Sequence, residues 1–496
     1  MRKKRVIGVA ASAVTVGAVV AVLAATALAT PGSKQGASST QDPFLVRNRP
    51  GIVTTSLLTT GDSVGGYRMA GIPDGLGAFD NGDGTFTVLM NHEVPGGVGA
   101  VRTHGANGAF VSKWIIDKDS LAVLHGEDLI QRVYSWSGSA WAQIPAGSPQ
   151  LSLSRLCSAD LPVRAFYDAT TGLGTQEQLF LNGEESGVEG RGFATVATGA
   201  DAGSSYHVPW FGRFSWENAV AKPDAGVSTV VVGLDDSTPG QVYVYVGSKR
   251  SSGNDVEKAG LTGGVLYALK IEGVSTENDA TTLPGGSARF SLVPLGDASG
   301  LTGAALESLG RGLGVSNMNR PEDGSWDPSD AHNFYFNTTA SFGGLSRIWK
   351  LRFDDPANVT AGGSATIAVQ SPAFDPTKPD AAQAGPRMLD NITVNDRGQV
   401  ISLEDVGNNA YLGGVYQYDP ATGALARIAQ HDPARFVAGA PGFITQDEEA
   451  SGVIPVTFLG AGMYLIVSQV HKADPDPVLV ESGQLQLLQI PPGKPV

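Results

Sequence analysis

Acidic residues stand where apolar runs of the sequence end, and they form the pattern most able to do chemistry. Glu184 lies in LFLNGEESG, Glu217 in GRFSWENA and Asp235 in VVGLDDS, while Glu322 follows in RPEDG and Asp390 in MLDNITV. Carboxylates that converge raise each other's pKa and cannot all ionise unless multivalent cations neutralise them. The pattern therefore predicts metal ligands, and the alternative is a set of loop carboxylates that face water. That alternative applies most readily to the other acidic residues at such positions, which are Glu93, Glu185, Asp236, Asp323, Glu404 and Asp405.

Glu217 and Glu322 are the strongest candidates in this set, because each has bulky apolar neighbours. Trp216 precedes Glu217, while Pro321 and Trp326 flank Glu322 in NRPEDGSWDP. A carboxylate that such neighbours bury needs a partner. Proline also restricts both its own φ and the residue before it. We therefore expect a rigid stretch that holds a carboxylate in a fixed direction.

The other reactive residue types argue against some catalytic classes. The histidines form no H-x-x-H or H-E-x-x-H spacing, so the sequence does not indicate a zinc peptidase. The absence of a G-x-S-x-G motif disfavours an α/β-hydrolase esterase. Cys157 is the only cysteine, so no intramolecular disulfide can form. It is either an inert buried residue or a thiolate that binds metal or reacts.

Short runs with a period of two dominate the chain and predict β-strands. They are TFTVLMN (85–91), QVYVYVG (241–247), VLYALKI (265–271), NFYFNTT (333–339), RIWKLRF (347–353), QVISLED (399–405) and GVYQYDP (414–420). A single all-β unit of this length is too large for a simple sandwich, whereas radial repetition lets the number of strands grow. We therefore predict an all-β fold, a six-bladed β-propeller with irregular blades, whose strand ends bring distant acidic residues to an axial channel.

The first 29 residues have the pattern of an export signal, with four basic residues among the first five and an apolar run that ends in ALA. The run is also long enough for an uncleaved membrane anchor. We predict a signal peptide over 1–29, a flexible spacer over 30–43 and the propeller domain over 44–496. The formal charge of −14 disfavours binding to nucleic acid or anionic lipid. We expect a secreted, cell-surface or periplasmic monomer that makes no membrane contact after cleavage.

Eight short motifs occur in a fixed order along the chain after the predicted spacer. They are NHE (91–93), the cysteine in SRLCSADLP, GEE (183–185), GRFSWENA (212–219), LDD (234–236), RPED (320–323), DN (390–391) and SQVHK (468–472). Each motif alone is weak, but the series resembles the PhoX family of secreted bacterial alkaline phosphatases. The resemblance implies a six-bladed propeller whose axial channel holds a cluster of calcium and ferric ions.

The resemblance also implies a set of metal ligands. The residues carried over are Cys157, Glu184, Glu217, Asp235, Glu322, Asp390 and Asn391. Thiolate suits iron, while carboxylate and amide oxygens suit calcium. We therefore expect several Ca²⁺ ions together with Fe³⁺.

These observations predict a secreted, metal-dependent phosphatase that acts on small phosphorylated substrates, with phosphomonoesters as the main class and phosphodiesters as a second. Arg320 is the expected catalytic and phosphate-binding residue, because a planar guanidinium matches phosphate oxygens. Pro321 would hold Arg320 toward substrate and Glu322 toward metal. Two alternatives remain: a non-catalytic, calcium-stabilised propeller that binds a glycan or protein, and a calcium-dependent lactonase or esterase.

Overall fold

The alternating runs of the sequence form β-strands, and they build almost the whole molecule. In the computed structural model, which describes residues 32–492, each of the seven runs lies in a strand. The N-terminal strands are β1 (Ser33–Gln35), β2 (Leu45–Arg47), β3 (Val53–Thr59), β4 (Ser63–Val64) and β5 (Tyr67–Arg68). The prediction of an all-β fold is confirmed.

The following strands fold into sheets in chain order. An antiparallel sheet contains β6 (Pro73–Asp80), β7 (Thr85–His92), β8 (Phe110–Asp117) and β9 (Val123–Asp128). The next sheet contains β10 (Arg132–Trp136), β11 (Trp141–Gln143), β12 (Leu156–Asp160), β15 (Leu179–Glu184), β16 (Gly192–Val196) and β17 (Ser204–His207). Between β12 and β15, the strands β13 (Tyr167–Asp168) and β14 (Leu173–Gly174) form a small hairpin.

A nine-stranded sheet occupies the middle of the chain. It contains β18 (Trp216–Ala221), β19 (Ser228–Asp235), β20 (Val242–Ser248), β21 (Val265–Ile271), β22 (Ala288–Gly296), β23 (Pro321–Trp326), β24 (Asn333–Thr338), β25 (Arg347–Phe353) and β26 (Gly363–Gln370). Antiparallel pairing of β22 with β26 joins its two halves. The two end strands of the sheet, β18 and β23, also contact each other, so the sheet nearly closes on itself.

Two further sheets complete the fold. One contains β27 (Leu389–Val394), β28 (Val400–Glu404), β29 (Gly414–Asp419) and β30 (Ala424–His431), and the other contains β31 (Glu448–Pro455), β32 (Met463–Val470) and β33 (Ser482–Gln489). Strands from the start of the chain join both sheets, because β2 pairs with β30 and β3 pairs with β33. The described helices are short, namely α1 (Asp255–Lys258), α2 (Gly303–Gly312) and α3 (Pro433–Phe436), with 3₁₀ turns at Pro149–Leu151, Pro209–Phe211, Pro284–Gly286, Val359–Ala361, Asp380–Ala382 and Thr457–Leu459.

The beginning of the chain differs in one respect from the prediction. Residues 33–35 are not a flexible spacer, because β1 pairs in parallel with β3. Thr40 continues this attachment, since its hydroxyl donates a 2.6 Å hydrogen bond to Asp62. The run SKQ has no apolar alternation, so its sequence does not indicate a strand. The predicted signal peptide lies outside the described residues, and within 32–492 no helix is long and apolar enough to cross a bilayer.

Six strands lie side by side around a common centre, and we call them the inner strands. They are β6, β12, β18, β23, β27 and β31. Each contacts the next in this order, and β31 contacts β6, so the cycle is closed. Five of the inner strands begin a series of antiparallel strands that follow one another along the chain. The sixth, β12, pairs with the first strand of such a series, β15. The strand ends of distant sequence segments therefore meet in one place.

Close aromatic packing fixes the inner strand β18 against its neighbour β15. Trp216 is buried and stacks on Phe214 with ring centroids 3.9 Å apart. Gly183 lies directly beneath it, and a Cβ at this glycine would come within 2.3 Å of the Trp216 side chain. The glycine of the GEE motif is therefore required by the tryptophan that precedes Glu217.

Candidate metal centre

The second residue of every inner strand carries a carboxyl or thiol group, and we call these six residues the axial ring. They are Asp74, Cys157, Glu217, Glu322, Asp390 and Glu449. All six are buried, with 8% or less of their surface exposed. One position, repeated on six strands that surround a common centre, thus supplies one ligand-type group per strand.

The same β-bulge shapes the start of five inner strands. In β23, for example, Pro321 pairs with Thr338 and Gly324 pairs with Phe336. The chain therefore advances by three residues on β23 but by only two on its partner, β24. β6, β12, β18 and β27 show the same shift at the same place. A bulge re-aims consecutive side chains. It therefore gives the third residues of these strands, as well as the second, access to the centre.

Hydrogen bonds from polar third residues hold Glu217 of the axial ring and the neighbouring carboxylate of Asp323. Ser158 donates from its hydroxyl to Glu217 Oε1 over 2.6 Å. Asn391 in turn donates from Nδ2 to Ser158 Oγ over 2.5 Å. Asn218 donates from Nδ2 to Asp323 over 2.6 Å. These bonds fix the carboxylates before any ligand binds.

Two groups of three ligand-type atoms lie close enough to share a cation. The first group, triad A, is Asp74, Glu93 and Cys157, and the second, triad B, is Glu217, Glu322 and Asp390; within each triad the ligand atoms lie within 4.8 Å of one another. In triad A, Cys157 Sγ lies 3.1 Å from Asp74 Oδ2.

Crowding and burial make the charged forms of these groups unfavourable. Burial raises the pKa of Glu217 to about 8, although a hydrogen bond from Ser158 opposes the shift. Burial and the charges of Asp236 and Asp390 raise the pKa of Glu322 well above its ordinary value. Burial and the neighbouring Asp74 likewise raise the pKa of the Cys157 thiol. Bound multivalent cations would reverse this penalty, because they stabilise the deprotonated groups.

A second set of residues directly follows the strands that pair with the inner strands, and we call them the mouth residues. They are Glu93, Glu185, Asp236, Asp405 and His471. Burial and the charge of Glu449 raise the pKa of Asp405 to about 7. Hydrogen bonds to Glu449 and Glu481 outweigh the burial of His471 and raise its pKa to about 11. Carboxyl groups thus outnumber basic groups around the centre, and a bound cation would favour their charged forms.

Two arginines stand among the mouth residues, each in the left-handed region of backbone conformation. Arg155 precedes β12 with φ 46°, and Arg320 precedes β23 with φ 58°. Such conformations are costly for residues with a Cβ and cluster at functional sites. Arg320 binds both oxygens of Asp236, at 2.7 and 2.9 Å, and its Nη2 lies 3.0 Å from Glu322 Oε1. Arg155 Nη2 lies 2.7 Å from Glu93 Oε1, and the same guanidinium binds Glu185.

Four of the predicted ligands come together in the axial ring: Cys157, Glu217, Glu322 and Asp390. Asn391 lies beside them, and its Oδ1 is buried without a hydrogen-bond partner within residues 32–492. This orphaned amide oxygen fits the amide ligand that the resemblance implies.

The structure does not bring Glu184 and Asp235 to this centre. Glu184 accepts two 2.6 Å hydrogen bonds from Arg191 and one from the Ser154 amide, so both of its oxygens are used within its own sheet. Asp235 accepts from the Ser215 and Gln241 amides and from the hydroxyl of Ser237. Both residues are the last of their strands, and in each case the next residue is the mouth residue.

The prediction also missed Asp74 and Glu449 as axial residues, and left Glu93 among the loop carboxylates. Asp74 lies in AGIPDGLGAF, and Glu449 lies in QDEEASGVIPV. Each stands second in its strand, a position that only the structure reveals. Arg155 in SRLCSADLP was likewise not marked by the sequence.

The donor atoms of the two triads suit different ions. Triad B is made only of carboxylates, which hard cations such as Ca²⁺ prefer. Triad A adds the thiol of Cys157, a softer ligand that suits iron. Glu322 Oε1, although close to Arg320, is buried without a hydrogen bond of good geometry within the described residues. The residues present therefore fit a centre of several multivalent cations.

A separate cavity of about 620 Å³ lies at the other end of the inner strands. Its walls are later residues of these strands, such as Leu76, Val220 and Ile392, together with Lys222 and Trp326. It contains no member of the axial ring. The axial ring therefore lies away from this cavity, toward the end where the inner strands begin.

Comparisons with known proteins concern the family and the fold. The family model of the alkaline phosphatase PhoX matches residues 203–467. The fold is similar to the structure of Pseudomonas fluorescens PhoX in complex with vanadate, a transition state analogue, with 12% identity, a TM-score of 0.62, and coverage of 90% of this chain and 96% of that chain. The periplasmic gluconolactonase PpgL of Pseudomonas aeruginosa is a weaker match, with 13% identity, a TM-score of 0.35, and coverage of 84% and 85%. No curated protein matches the chain in sequence.

Proposed function

Because the chain belongs to the PhoX family of alkaline phosphatases and is a phosphoric ester hydrolase, we propose that it hydrolyses phosphomonoesters at a metal centre held by the axial ring. The observation that carries this proposal is the ring itself, which repeats a buried ligand-type group at the second position of all six inner strands. So many buried carboxylates without cations would be costly.

The metal ligands in this proposal follow the two triads. Triad B, with the amide of Asn391 beside it, holds Ca²⁺, and triad A holds Fe³⁺ through the Cys157 thiolate. Multivalent ions in such a centre lower the pKa of water and neutralise phosphoryl oxygens. The protein's part is to fix the ligands, which the network through Ser158 supports by bonding both Glu217 and Asn391.

Arg320 has the role of phosphate ligand in this proposal. Pro321 and the bidentate contact with Asp236 hold its guanidinium rigidly. A guanidinium that is fixed before substrate binds loses little entropy when it contacts a phosphoryl oxygen. Asp236 is therefore a positioning residue.

The remaining parts of the proposal concern the whole protein. The closed cycle of inner strands supports a count of six blades, two of which are hydrogen-bonded into the nine-stranded sheet. The basic and apolar pattern of residues 1–29 supports export from the cytoplasm. We expect a monomer that acts on small phosphorylated substrates.

The decisive experiment combines elemental analysis of the purified protein with an assay on p-nitrophenyl phosphate. We expect bound calcium and iron, and turnover that a chelator abolishes and metal replacement restores. Metal-loaded protein that hydrolyses no phosphate ester would refute the proposal and favour a calcium-stabilised binding module.

A further inference from the structure

Arg155 and Arg320 occupy equivalent positions in two different sheets. Each is the residue immediately before an inner strand, each has a positive φ, and each is followed two residues later by a member of the axial ring, Cys157 or Glu322. Two other residues that immediately precede an inner strand, Ile72 and Met388, also have a positive φ, but neither carries a charge. The fold therefore places just these two guanidiniums at corresponding points of the mouth, among the described residues.

The two arginines also use their donors in the same way. In both, the Nε and Nη2 groups contact a mouth carboxylate, Glu185 for Arg155 and Asp236 for Arg320. In both, Nη1 has no hydrogen-bond partner within residues 32–492. The side chains are 45% and 27% exposed, respectively. Each guanidinium is thus held through Nε and Nη2, which contact a mouth carboxylate and, in addition, Glu93 or Glu322. Its Nη1 group is left to contact a ligand.

The carboxylates that hold the arginines are themselves neighbours. Burial, together with the charges of Glu93, Asp236 and Glu217, raises the pKa of Glu185 well above its ordinary value, while Arg155 opposes the shift. Ionic contacts link Glu93, Arg155 and Glu185 in one group at the mouth, and Asp236, Arg320 and Glu322 in a second group. Each group contains one arginine whose Nη1 is free among the described residues.

We propose that Arg155 is a second phosphate-binding residue, which together with Arg320 makes the site selective for phosphomonoesters over phosphodiesters. This inference rests on the proposed function. A phosphomonoester presents three terminal oxygens and a second negative charge, whereas a diester presents two oxygens and one charge. Two guanidiniums with free N–H groups match the monoester better, because charge-assisted hydrogen bonds to a dianion are stronger.

The test compares Arg155→Ala and Arg155→Lys with the matched control Arg289→Ala, which removes an exposed arginine paired with Asp354 on an outer strand. The measurements are kcat/KM for p-nitrophenyl phosphate and for bis-p-nitrophenyl phosphate, inhibition by inorganic phosphate, metal content and Tm. We expect Arg155→Ala to lower monoester kcat/KM by ~30-fold and diester kcat/KM by less than ~3-fold. Phosphate inhibition should weaken by about tenfold or more, with metal content and the control unchanged.

If Arg155→Ala loses metal or folds poorly, Arg155→Lys provides the test. Lysine keeps a positive charge beside Glu93 and Glu185. We expect it to retain metal while monoester kcat/KM stays low, since an ammonium lacks the fork of a guanidinium. Equal losses for both substrates, or full recovery with lysine, would overturn the inference. An active wild type with an unchanged Arg155→Ala contradicts only this inference, whereas an inactive wild type contradicts the proposed function.

Discussion

Glu184 and Glu185 are consecutive residues that bind different arginines on opposite sides of a strand end. Glu184 is held by Arg191 within its own sheet, whereas Glu185 is held by Arg155 at the mouth of the metal centre. Successive side chains of a strand point to opposite faces. One residue of register therefore separates a structural carboxylate from one that belongs to the site.

This relationship predicts different effects for two neighbouring substitutions. Glu184→Gln removes the charged partner of Arg191, which is largely buried, so it should lower Tm while the metal bound per folded molecule stays unchanged. Glu185→Gln should leave Tm nearer that of the wild type, since the glutamine amide oxygen can still accept a hydrogen bond from Arg155, and should reduce activity. Thermal unfolding and elemental analysis of both variants check this. The reverse pattern would mean that Glu184 is the ligand.

Glu217 should be required for metal binding and not for folding. Its pKa of about 8 in the metal-free protein lies above its ordinary value, so below pH 8 the folded protein already holds it neutral. Glu217→Gln therefore keeps the favoured neutral form, and we expect a metal-free Tm equal to or above that of the wild type, with loss of metal from triad B.

Glu404→Gln is the matched control for Glu217→Gln. Glu404 is equally buried, with a pKa of about 8, but it accepts hydrogen bonds from the Arg387 and Gly414 amides and lies outside both triads. It should lose stability while retaining metal. If Glu217→Gln keeps full metal content, Glu217 is not a ligand.

Cys157→Ser tests the identity of the softer ion. A thiolate ligand to ferric iron gives visible absorption, and serine provides a harder, weaker ligand. We expect the variant to fold, because serine fits where cysteine is, and to lose iron and colour while part of its calcium remains. Absorption spectra and elemental analysis measure this. Full activity in Cys157→Ser, or rapid labelling of the wild-type thiol in metal-loaded protein, would make the cysteine structural.

The sequence predicted strand content and most of the axial ring because these depend on local pattern. Alternation marked the strands, and Glu217, Glu322 and Asp390 were selected as acidic residues where apolar runs end, whereas the structure places them where strands begin. Cys157 was included only because of the family resemblance. Glu184 and Asp235, which were also predicted as ligands, bind partners within their own sheets in the structure. The motifs GEE and LDD do not indicate which of their two acidic residues faces the centre. The register that separates them comes from pairing with β12 and β18, which the sequence does not display.

Asp74 and Glu449 illustrate a second limit. Neither follows an apolar run, and their shared position became visible only when six inner strands were aligned by structure. The β-bulge at the start of five of these strands also cannot be read from the sequence. It is a difference in the number of residues between two paired strands, so it depends on how the strands pair.

Removal of metal should destabilise the protein strongly. Ions that bind only the folded state add stability by mass action, about 2.7 kcal/mol at a free concentration one hundred times Kd. We expect excess chelator to lower Tm by several degrees and added Ca²⁺ to restore most of this loss. Differential scanning calorimetry across calcium concentrations measures the effect. A Tm independent of calcium in protein shown to be metal-free would contradict a carboxylate-bound calcium centre.

Arg320 provides the sharpest test of substrate binding, because its backbone and its side chain can be separated. Arg320→Ala keeps a Cβ in the left-handed conformation, whereas Arg320→Gly relieves that strain, which costs roughly 1 kcal/mol. We expect both variants to lower kcat for p-nitrophenyl phosphate by ~100-fold, as expected for loss of a group that stabilises transition-state charge. Arg320→Gly should have the higher Tm, and Arg320→Lys should recover little activity. Asp236→Asn should give a smaller loss, because it loosens the guanidinium without removing it. If Arg320→Gly retains wild-type turnover and metal, the arginine serves only as an ion-pair partner of Asp236 and Glu322, and the phosphate contact belongs to other residues.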